Sequence, residues 1–217
     1  MCDYLDTVGL KAFCPVGVDC FVSVWYDQAG SGYNAIQNSS ASQPLIVING
    51  IINRVNNNCA VRFISTNSSS NDWMQSSTLG NYTGVITSFA VFNYVVGGSY
   101  IFDQGFTRYI VYTDYGSLRM YISTDLVGST RILNTQYLTY SLFNSTTSVF
   151  TVNTNTFTGT AGNFQTANII TLGAPASLVS GNFNLNGNIQ EFVTYRSNQS
   201  ANQATIRSNI NSFYSVY

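Results

Sequence analysis

The sequence has 217 residues, of which 8% are charged, and its formal net charge is −1. This length is normal for one all-β domain, and an apolar content of 45% is that of an ordinary globular protein. Lys11 is the only lysine, so the basic patch needed to bind nucleic acid is absent. No apolar run approaches the ~20 residues of a membrane-spanning helix, and we expect no membrane insertion.

The four cysteines lie in the first third of the chain and predict disulfides. Cys14 and Cys20 flank a short stretch that could form a small loop, and a Cys2–Cys59 bridge would then hold the amino terminus. Four cysteines allow three pairings, and free buried thiols are an alternative. Disulfides would indicate an oxidising compartment. A zinc site is excluded because the spacing is wrong and the chain has no histidine.

Alternating apolar and polar residues after the cysteine-rich start favour β-strands. The first predicted strand, Phe21–Tyr26, runs into a loop at Gly30 and Gly32, and Asn49-Gly50 marks a hairpin turn. Many short strands at short spacing indicate a sandwich or barrel. The further predicted strands are Leu45–Ile48, Ala60–Ile64, Val85–Phe92, Ser99–Phe102, Arg108–Tyr112, Leu118–Ile122, Tyr137–Phe143, Ser148–Val152, Ile169–Leu172 and Ile189–Tyr195.

The end of the chain predicts one amphipathic helix, Ser200–Tyr214. Ile206, Ile210 and Phe213 recur at helical spacing, and the first serine can cap the first turn. We expect this helix to close one end of the sandwich.

Two segments of the chain, WYDQAGSGYNA at residues 25–35 and GNIQEFVTY at residues 187–195, are similar to segments of a known family. They resemble the WYDQSGNGNDA segment and the closing GxIQExxxY strand of laminin-G-like domains of the concanavalin A-like lectin/glucanase superfamily. Further similar segments, in the family's order, are Gln43-Pro44, Ala60–Phe63, Asn71–Met74 and Asn209–Tyr214. The resemblance covers most of the chain, from about Phe21 to Tyr217.

The resemblance implies an all-β fold, a concanavalin A-like antiparallel β-sandwich (jelly roll) with a short C-terminal α-helix. It would form one domain over residues 1–217, with an N-terminal extension over 1–20 and the capping helix over 200–214. Family members usually begin with a strand that this chain lacks. The position of that strand would be filled by the Cys2–Cys20 segment or by a partner chain, and an open edge would favour self-association or other structural subunits as partners.

Domains of this family occur in viral and phage surface proteins, bacterial adhesins and glycosidases. The prediction is a non-enzymatic surface module, a structural or receptor/glycan-binding part of a viral fibre, spike or tail, or of an adhesin. The alternative is a glycoside hydrolase related to arabinofuranosidase B-type catalytic domains. An extracellular or virion-surface location is expected in the first case.

Few side chains could carry out chemistry. Without histidine, Ser-His-Asp and Cys-His nucleophilic systems are excluded. Glycoside hydrolysis needs two carboxylates ~5–9 Å apart, and Glu191, the only glutamate, is catalytic only under the alternative. Asp27 could bind calcium through its turn, but a cap on the turn at Gly30 is the favoured interpretation. Apart from calcium, no cofactor is expected.

Sugar binding without a metal uses aromatic faces, with amides to contact hydroxyl groups. A position in the core is the ordinary alternative for each candidate. The candidates near loops or strand ends are Trp73, Tyr82, Tyr100, Tyr115 and Tyr137. Sequons that would permit glycosylation lie at Asn38, Asn67, Asn81, Asn144 and Asn198.

Overall fold

The structure is a computed structural model that describes residues 6–65, 71–96, 98–105, 109–114, 116–177 and 183–217. The strands in this part of the chain are β1 (Cys20–Phe21), β2 (Val24–Trp25), β3 (Ala35–Ile36), β4 (Leu45–Ile48), β5 (Ile51–Ile52), β6 (Arg54–Val55), β7 (Asn58–Cys59), β8 (Val61–Phe63), β9 (Met74–Ser76), β10 (Ile86–Tyr94), β11 (Tyr100–Asp103), β12 (Ile110–Asp114), β13 (Ser117–Tyr121), β14 (Asp125–Thr130), β15 (Gln136–Phe143), β16 (Ser148–Val152), β17 (Asn155–Gly159), β18 (Thr171–Leu172) and β19 (Gly187–Tyr195). The α-helices are α1 (Thr7–Phe13) and α2 (Gln203–Tyr214).

The strands form two large antiparallel sheets. The first sheet has the order β1-β4-β8-β19-β10-β15-β16-β17, with β5 paired to β4, and the second has the order β14-β13-β12-β11-β18-β9-β3-β2. The strands β6 and β7 form a separate hairpin. The predicted fold class, an antiparallel jelly-roll sandwich with a C-terminal helix, is confirmed.

Aromatic side chains dominate the space between the sheets. Phe102 of the second sheet meets Phe143 and Phe192 of the first at ring-centroid distances of 6.4 and 4.8 Å. The opposite face of the first sheet is covered by α2, whose Ile210 and Tyr214 are buried in a second cluster. Side chains therefore pack against both faces of the first sheet, and the outer face of the second sheet carries partly exposed side chains.

The predicted strand Phe21–Tyr26 is wrong in one respect, because its residues divide between the two sheets. β1 pairs with β4 in the first sheet, whereas β2 pairs with β3 in the second. Between them the amide of Val22 donates to the carbonyl of Pro44, and the carbonyl of Ser23 accepts from Gln37. The chain thus crosses from one layer to the other, and simple alternation cannot reveal such a crossing.

Other differences lie at element ends. α2 begins at Gln203 rather than at Ser200, and it packs on a face of the first sheet rather than closing one end of the sandwich. The helix α1 was not predicted. The hairpin turn at Asn49-Gly50 is confirmed by the β4–β5 pairing. The start of the predicted strand at Arg108 lies outside the described residues. The division into an extension, one domain and a cap remains a prediction.

The predicted disulfide between Cys14 and Cys20 is confirmed. Cys59 is fully buried and, like the other cysteines of the described residues, is not a free thiol. Cys2 lies outside the described residues, so the Cys2–Cys59 pairing stays a prediction. In the described ranges, no helix is both long and apolar enough to span a membrane.

Candidate functional site

The candidate site lies on the outer face of the second sheet, across four neighbouring strands. In β13, Leu118 and Met120 point into the core, so the alternate residues of that strand face outward. Strand pairing places Tyr112 beside both Tyr100 and Arg119, and Tyr121 beside Asp125. We call the outward-facing group the tyrosine face; it consists of Tyr100, Tyr112, Arg119, Tyr121 and Asp125.

Four members of the tyrosine face, Tyr100, Tyr112, Asp125 and Arg119, contact one another in succession. The ring of Tyr100 stacks on the ring of Tyr112 with centroids 5.6 Å apart. The hydroxyl of Tyr112 donates to Oδ1 of Asp125 at 2.6 Å, and Nη1 of Arg119 donates to Oδ2 of the same carboxylate at 2.9 Å. The side chains of this ion pair are 18% and 32% exposed. Solvent, and hence a ligand, can therefore reach both charged groups.

Phe183 extends the aromatic surface at one end. Its ring meets the edge of Tyr100 at a centroid distance of 5.8 Å, and it is exposed. Near this end, Asp103 is fully buried and accepts hydrogen bonds from the amides of Gly105 and Ala176. The bond from Ala176 attaches the loop after β18 to the end of β11, whereas the bond from Gly105 closes a local turn after β11.

The phenols of Tyr100 and Tyr112 stay neutral at ordinary pH. Burial raises the pKa of Tyr100 to about 12, with a smaller contribution from the charge of Asp103. Burial and the hydrogen bond to Asp125 also raise the pKa of Tyr112. Both hydroxyl groups are therefore protonated near pH 7. The face combines flat aromatic rings, neutral hydroxyl groups and one ion pair, which are the groups that contact the apolar faces and hydroxyls of sugars.

The predicted ligand-binding aromatics fall in different environments. Tyr100 is on the tyrosine face. Tyr137 lies away from this face, because it is 3% exposed and its ring stacks on Tyr94 at a centroid distance of 5.8 Å in the core. The Tyr82 hydroxyl donates to the carbonyls of Val85 and Arg196, so this side chain holds strand ends together.

The two other predicted aromatics do not enlarge the face. Trp73 is half-buried just before β9. Tyr115 lies outside the described residues. The sequence analysis did not predict Tyr112, Arg119 and Asp125 as site residues. The alternation in the predicted strands 108–112 and 118–122 does indicate that Tyr112 and Arg119 could face outward. Asp125 could not be found because β14 was not predicted.

Glu191 lies on the opposite side of the molecule, on the first sheet beneath α2. Burial raises its pKa, and a hydrogen bond with Tyr214 of α2 acts in the opposite direction. The hydroxyl of Tyr214 also donates to the carbonyl of Gln190 at 3.2 Å. Glu191 is therefore partly covered by α2, and its catalytic role under the glycoside hydrolase alternative stays a prediction.

Asp27 uses both carboxylate oxygens within its own turn. Oδ1 accepts from the amide of Ala29 at 2.9 Å, and Oδ2 accepts from the Ser31 hydroxyl at 2.6 Å and the Tyr33 amide at 3.3 Å. These bonds lower its pKa, the Ser31 hydroxyl contributing most. The geometry is that of a turn cap. Within the described residues, no group of three or more acidic, cysteine or histidine side chains is placed to hold a metal.

The sequons occupy varied positions. Asn38, Asn81 and Asn198 are exposed, and Asn144 is half-buried. Asn67 lies outside the described residues. Glycosylation stays a prediction at each of them.

No known protein family and no curated protein sequence matches this chain. Solved structures do match. The heptameric SAP-like pentraxin of Limulus polyphemus is similar with a TM-score of 0.53 and 10% identity, over 70% of this chain and 82% of that one. At this identity the similarity shows the jelly-roll sandwich fold alone, which agrees with the superfamily implied by the sequence; the laminin-G-like assignment is not shown.

Weaker similarities extend to enzymes. An alginate lyase of Corynebacterium sp. has a TM-score of 0.47 and 12% identity, over 79% of this chain and 91% of that one. A Trypanosoma rangeli sialidase, solved with the inhibitor DANA, has a TM-score of 0.47 and 12% identity, over 83% of this chain and 30% of that one. The predicted non-enzymatic viral or adhesin module is corrected here: structures of this fold include enzymes, and a non-enzymatic role is not shown.

Proposed function

We propose that this chain recognises carbohydrate and that the ligand lies on the tyrosine face. The observation that carries the proposal is the stacked pair Tyr100–Tyr112 beside the ion pair Arg119–Asp125 on one solvent-facing sheet. An apolar sugar face can lie on the aromatic surface, while the carboxylate and guanidinium groups hydrogen-bond to its hydroxyls. A cell-surface glycan is the kind of partner that fits.

The disulfide Cys14–Cys20 supports a location outside the cell, because such bonds persist in oxidising compartments. We also propose that the protein is located at an extracellular or virion surface. We further propose that it belongs to the laminin-G-like group of the superfamily. Mass spectrometry of the protein purified from its natural source would test the first part, since hexosamine at Asn38, Asn81 or Asn198 requires passage through a secretory route.

Binding is best tested with a broad array of oligosaccharides, followed by calorimetry on the ligands that bind. Replacing Tyr112 with Ala removes the centre of the aromatic surface and the partner of Asp125, and we expect affinity to fall at least tenfold. Tyr112→Phe keeps the ring and removes the hydroxyl, so it should bind with intermediate affinity. Tyr26→Ala is the matched control, because Tyr26 is 65% exposed and lies outside the tyrosine face.

Two results would contradict the proposal. One is an array on which the folded wild-type protein binds no glycan. The other is a glycan that binds Tyr112→Ala as tightly as it binds the wild type. The bound oligosaccharides should also be examined for cleavage by mass spectrometry. Cleavage that is lost in Tyr112→Ala would extend the proposal from recognition to catalysis at the same face.

A further inference from the structure

A second surface, unrelated to the tyrosine face, exposes apolar side chains near the amino terminus. Ordinary surfaces scatter such residues singly, but here they come from α1, the loop after it and the turn between β4 and β5. We call this surface the N-terminal apolar patch. Its members, with their exposed fractions, are Val8 79%, Phe13 80%, Val16 91%, Phe21 50%, Ile48 39% and Ile51 70%.

The parts of this patch are tied together. The disulfide Cys14–Cys20 closes the loop that carries Val16. The loop is joined to the β4–β5 turn by two hydrogen bonds, from the Asn49 amide to Asp19 Oδ1 at 2.7 Å and from the Gly50 amide to the Val18 carbonyl at 2.8 Å. The exposed side chains therefore sit on a fixed platform, and a partner could bind it without first ordering a loop.

The area is that of a protein interface. The six side chains expose on the order of 700–800 Å² together, close to the ~800 Å² that each partner contributes to a stable complex. Single apolar patches on monomers usually reach ~300–600 Å². The summed exposure of these residues is therefore enough for one side of a protein interface.

The charges around the patch point to a second copy of the same chain. Lys11, the only lysine, lies on α1, Asp6 caps the start of that helix, and Asp19 lies in the loop that follows it; all three are exposed. A surface that carries both signs is complementary to itself when two copies meet about a two-fold axis. A net charge of −1 adds little repulsion between copies.

The edge of the first sheet adds to this argument. β1, which contains Phe21, is the outermost strand of that sheet. Edge strands offer backbone groups to a neighbouring chain. Phe21 connects this edge to the patch, so one partner can contact both.

We propose that a second copy of this chain covers the N-terminal apolar patch and forms a two-fold symmetric dimer. Phe13, Val16 and Ile51 lie near the centre of the interface, and Lys11 faces an aspartate of the other copy. This inference does not depend on the proposed carbohydrate recognition, because the patch and the tyrosine face use different residues.

Sedimentation velocity of the full chain between 1 and 100 μM tests the proposal. We expect a species of twice the 23.8 kDa chain mass. The double variant Val16→Glu, Ile51→Glu should raise the dimer dissociation constant at least 100-fold and sediment as a monomer. Lys11→Glu should weaken the dimer less, with a smaller effect at high salt, because screening removes the contribution of the charges.

The matched control is Ile132→Glu, Leu133→Glu, which adds the same charges at side chains that are 63% and 47% exposed elsewhere. It should dimerise like the wild type. Circular dichroism checks the fold of each variant, and Val16→Glu alone serves if the double variant unfolds, because Val16 is almost wholly exposed. A wild-type protein that stays monomeric at 100 μM would overturn the inference, as would a dimer that these substitutions leave intact or that the control disrupts equally.

Discussion

Gln136 and Gln190, on strands β15 and β19 of the first sheet, are hydrogen-bonded to each other through their side-chain amides beneath the β6–β7 hairpin. Both side chains are buried. Nε2 of Gln190 also donates to the carbonyls of Val55 and Asn58, which belong to that hairpin. Buried amides thus hold the hairpin on the sheet.

Replacing Gln190 with Leu should destabilise the protein by about 1–3 kcal/mol. Leucine fills a similar volume, but it leaves the carbonyls of Val55 and Asn58 and the amide of Gln136 without their partner, and a buried polar group without a partner costs this much. Urea denaturation followed by fluorescence measures the change. Gln28→Leu is the control, since Gln28 is exposed and should shift the free energy of unfolding by less than about 0.5 kcal/mol.

Asp72 should make stability depend on pH. It is 5% exposed, and burial raises its pKa to about 6, against the weaker opposite effects of the Ile64 amide and of Arg62. A carboxyl group whose pKa is higher in the folded state stabilises the fold at low pH, and this contribution is lost as pH rises from about 4 to about 6.

Asp72→Asn removes this pH dependence and keeps an oxygen for the Ile64 amide, which donates at 2.8 Å in the wild type. We expect the variant to be more stable than the wild type by about 1–2 kcal/mol at pH 7 and to lose that advantage by pH 4. Urea denaturation at several pH values gives the difference. A difference that does not change with pH would show that the ionisation of Asp72 is not coupled to folding.

How well the sequence predicts a strand depends on whether the strand is defined by its own local pattern or by its pairing with another strand. Local patterns correctly indicated Leu45–Ile48 and Ser148–Val152, whose bounds agree with β4 and β16. They missed β14, because Asp125–Thr130 contains one glycine and few apolar residues, and its strand character comes from pairing with β13. Propensity is a weak guide where tertiary pairing decides.

The same reason limited the prediction of the site. Tyr137 and Tyr100 looked equivalent in sequence, since both stand at strand ends with aromatic and polar neighbours. The fold separates them, because Tyr137 faces the other sheet and Tyr100 faces solvent. Which face of a strand is covered depends on where α2 and the second sheet pack, and no local pattern contains that information.

Two glycines with nearly the same backbone conformation should respond differently to alanine. Gly30 and Gly50 have φ angles of 74° and 77°, a region that disfavours side chains. A Cβ at Gly30 would have no atom within 4 Å, whereas at Gly50 it would lie 2.5 Å from Cα of Val16. Gly30→Ala should cost about 1 kcal/mol of stability. Gly50→Ala should cost clearly more, because the loop that carries Val16 must move.

The disulfide Cys14–Cys20 should stabilise the protein by about 2 kcal/mol, since a bridge across a sequence separation of 6 removes little entropy from the unfolded chain. The double variant Cys14→Ser, Cys20→Ser avoids a leftover thiol. Thermal and urea unfolding in the absence of reductant compare it with the wild type. The bond also fixes the loop that carries Val16, so the variant should dimerise more weakly while the Gln28→Leu protein dimerises normally. A loss of stability without any change in dimerisation would mean that the loop keeps its shape through the hydrogen bonds to the β4–β5 turn alone.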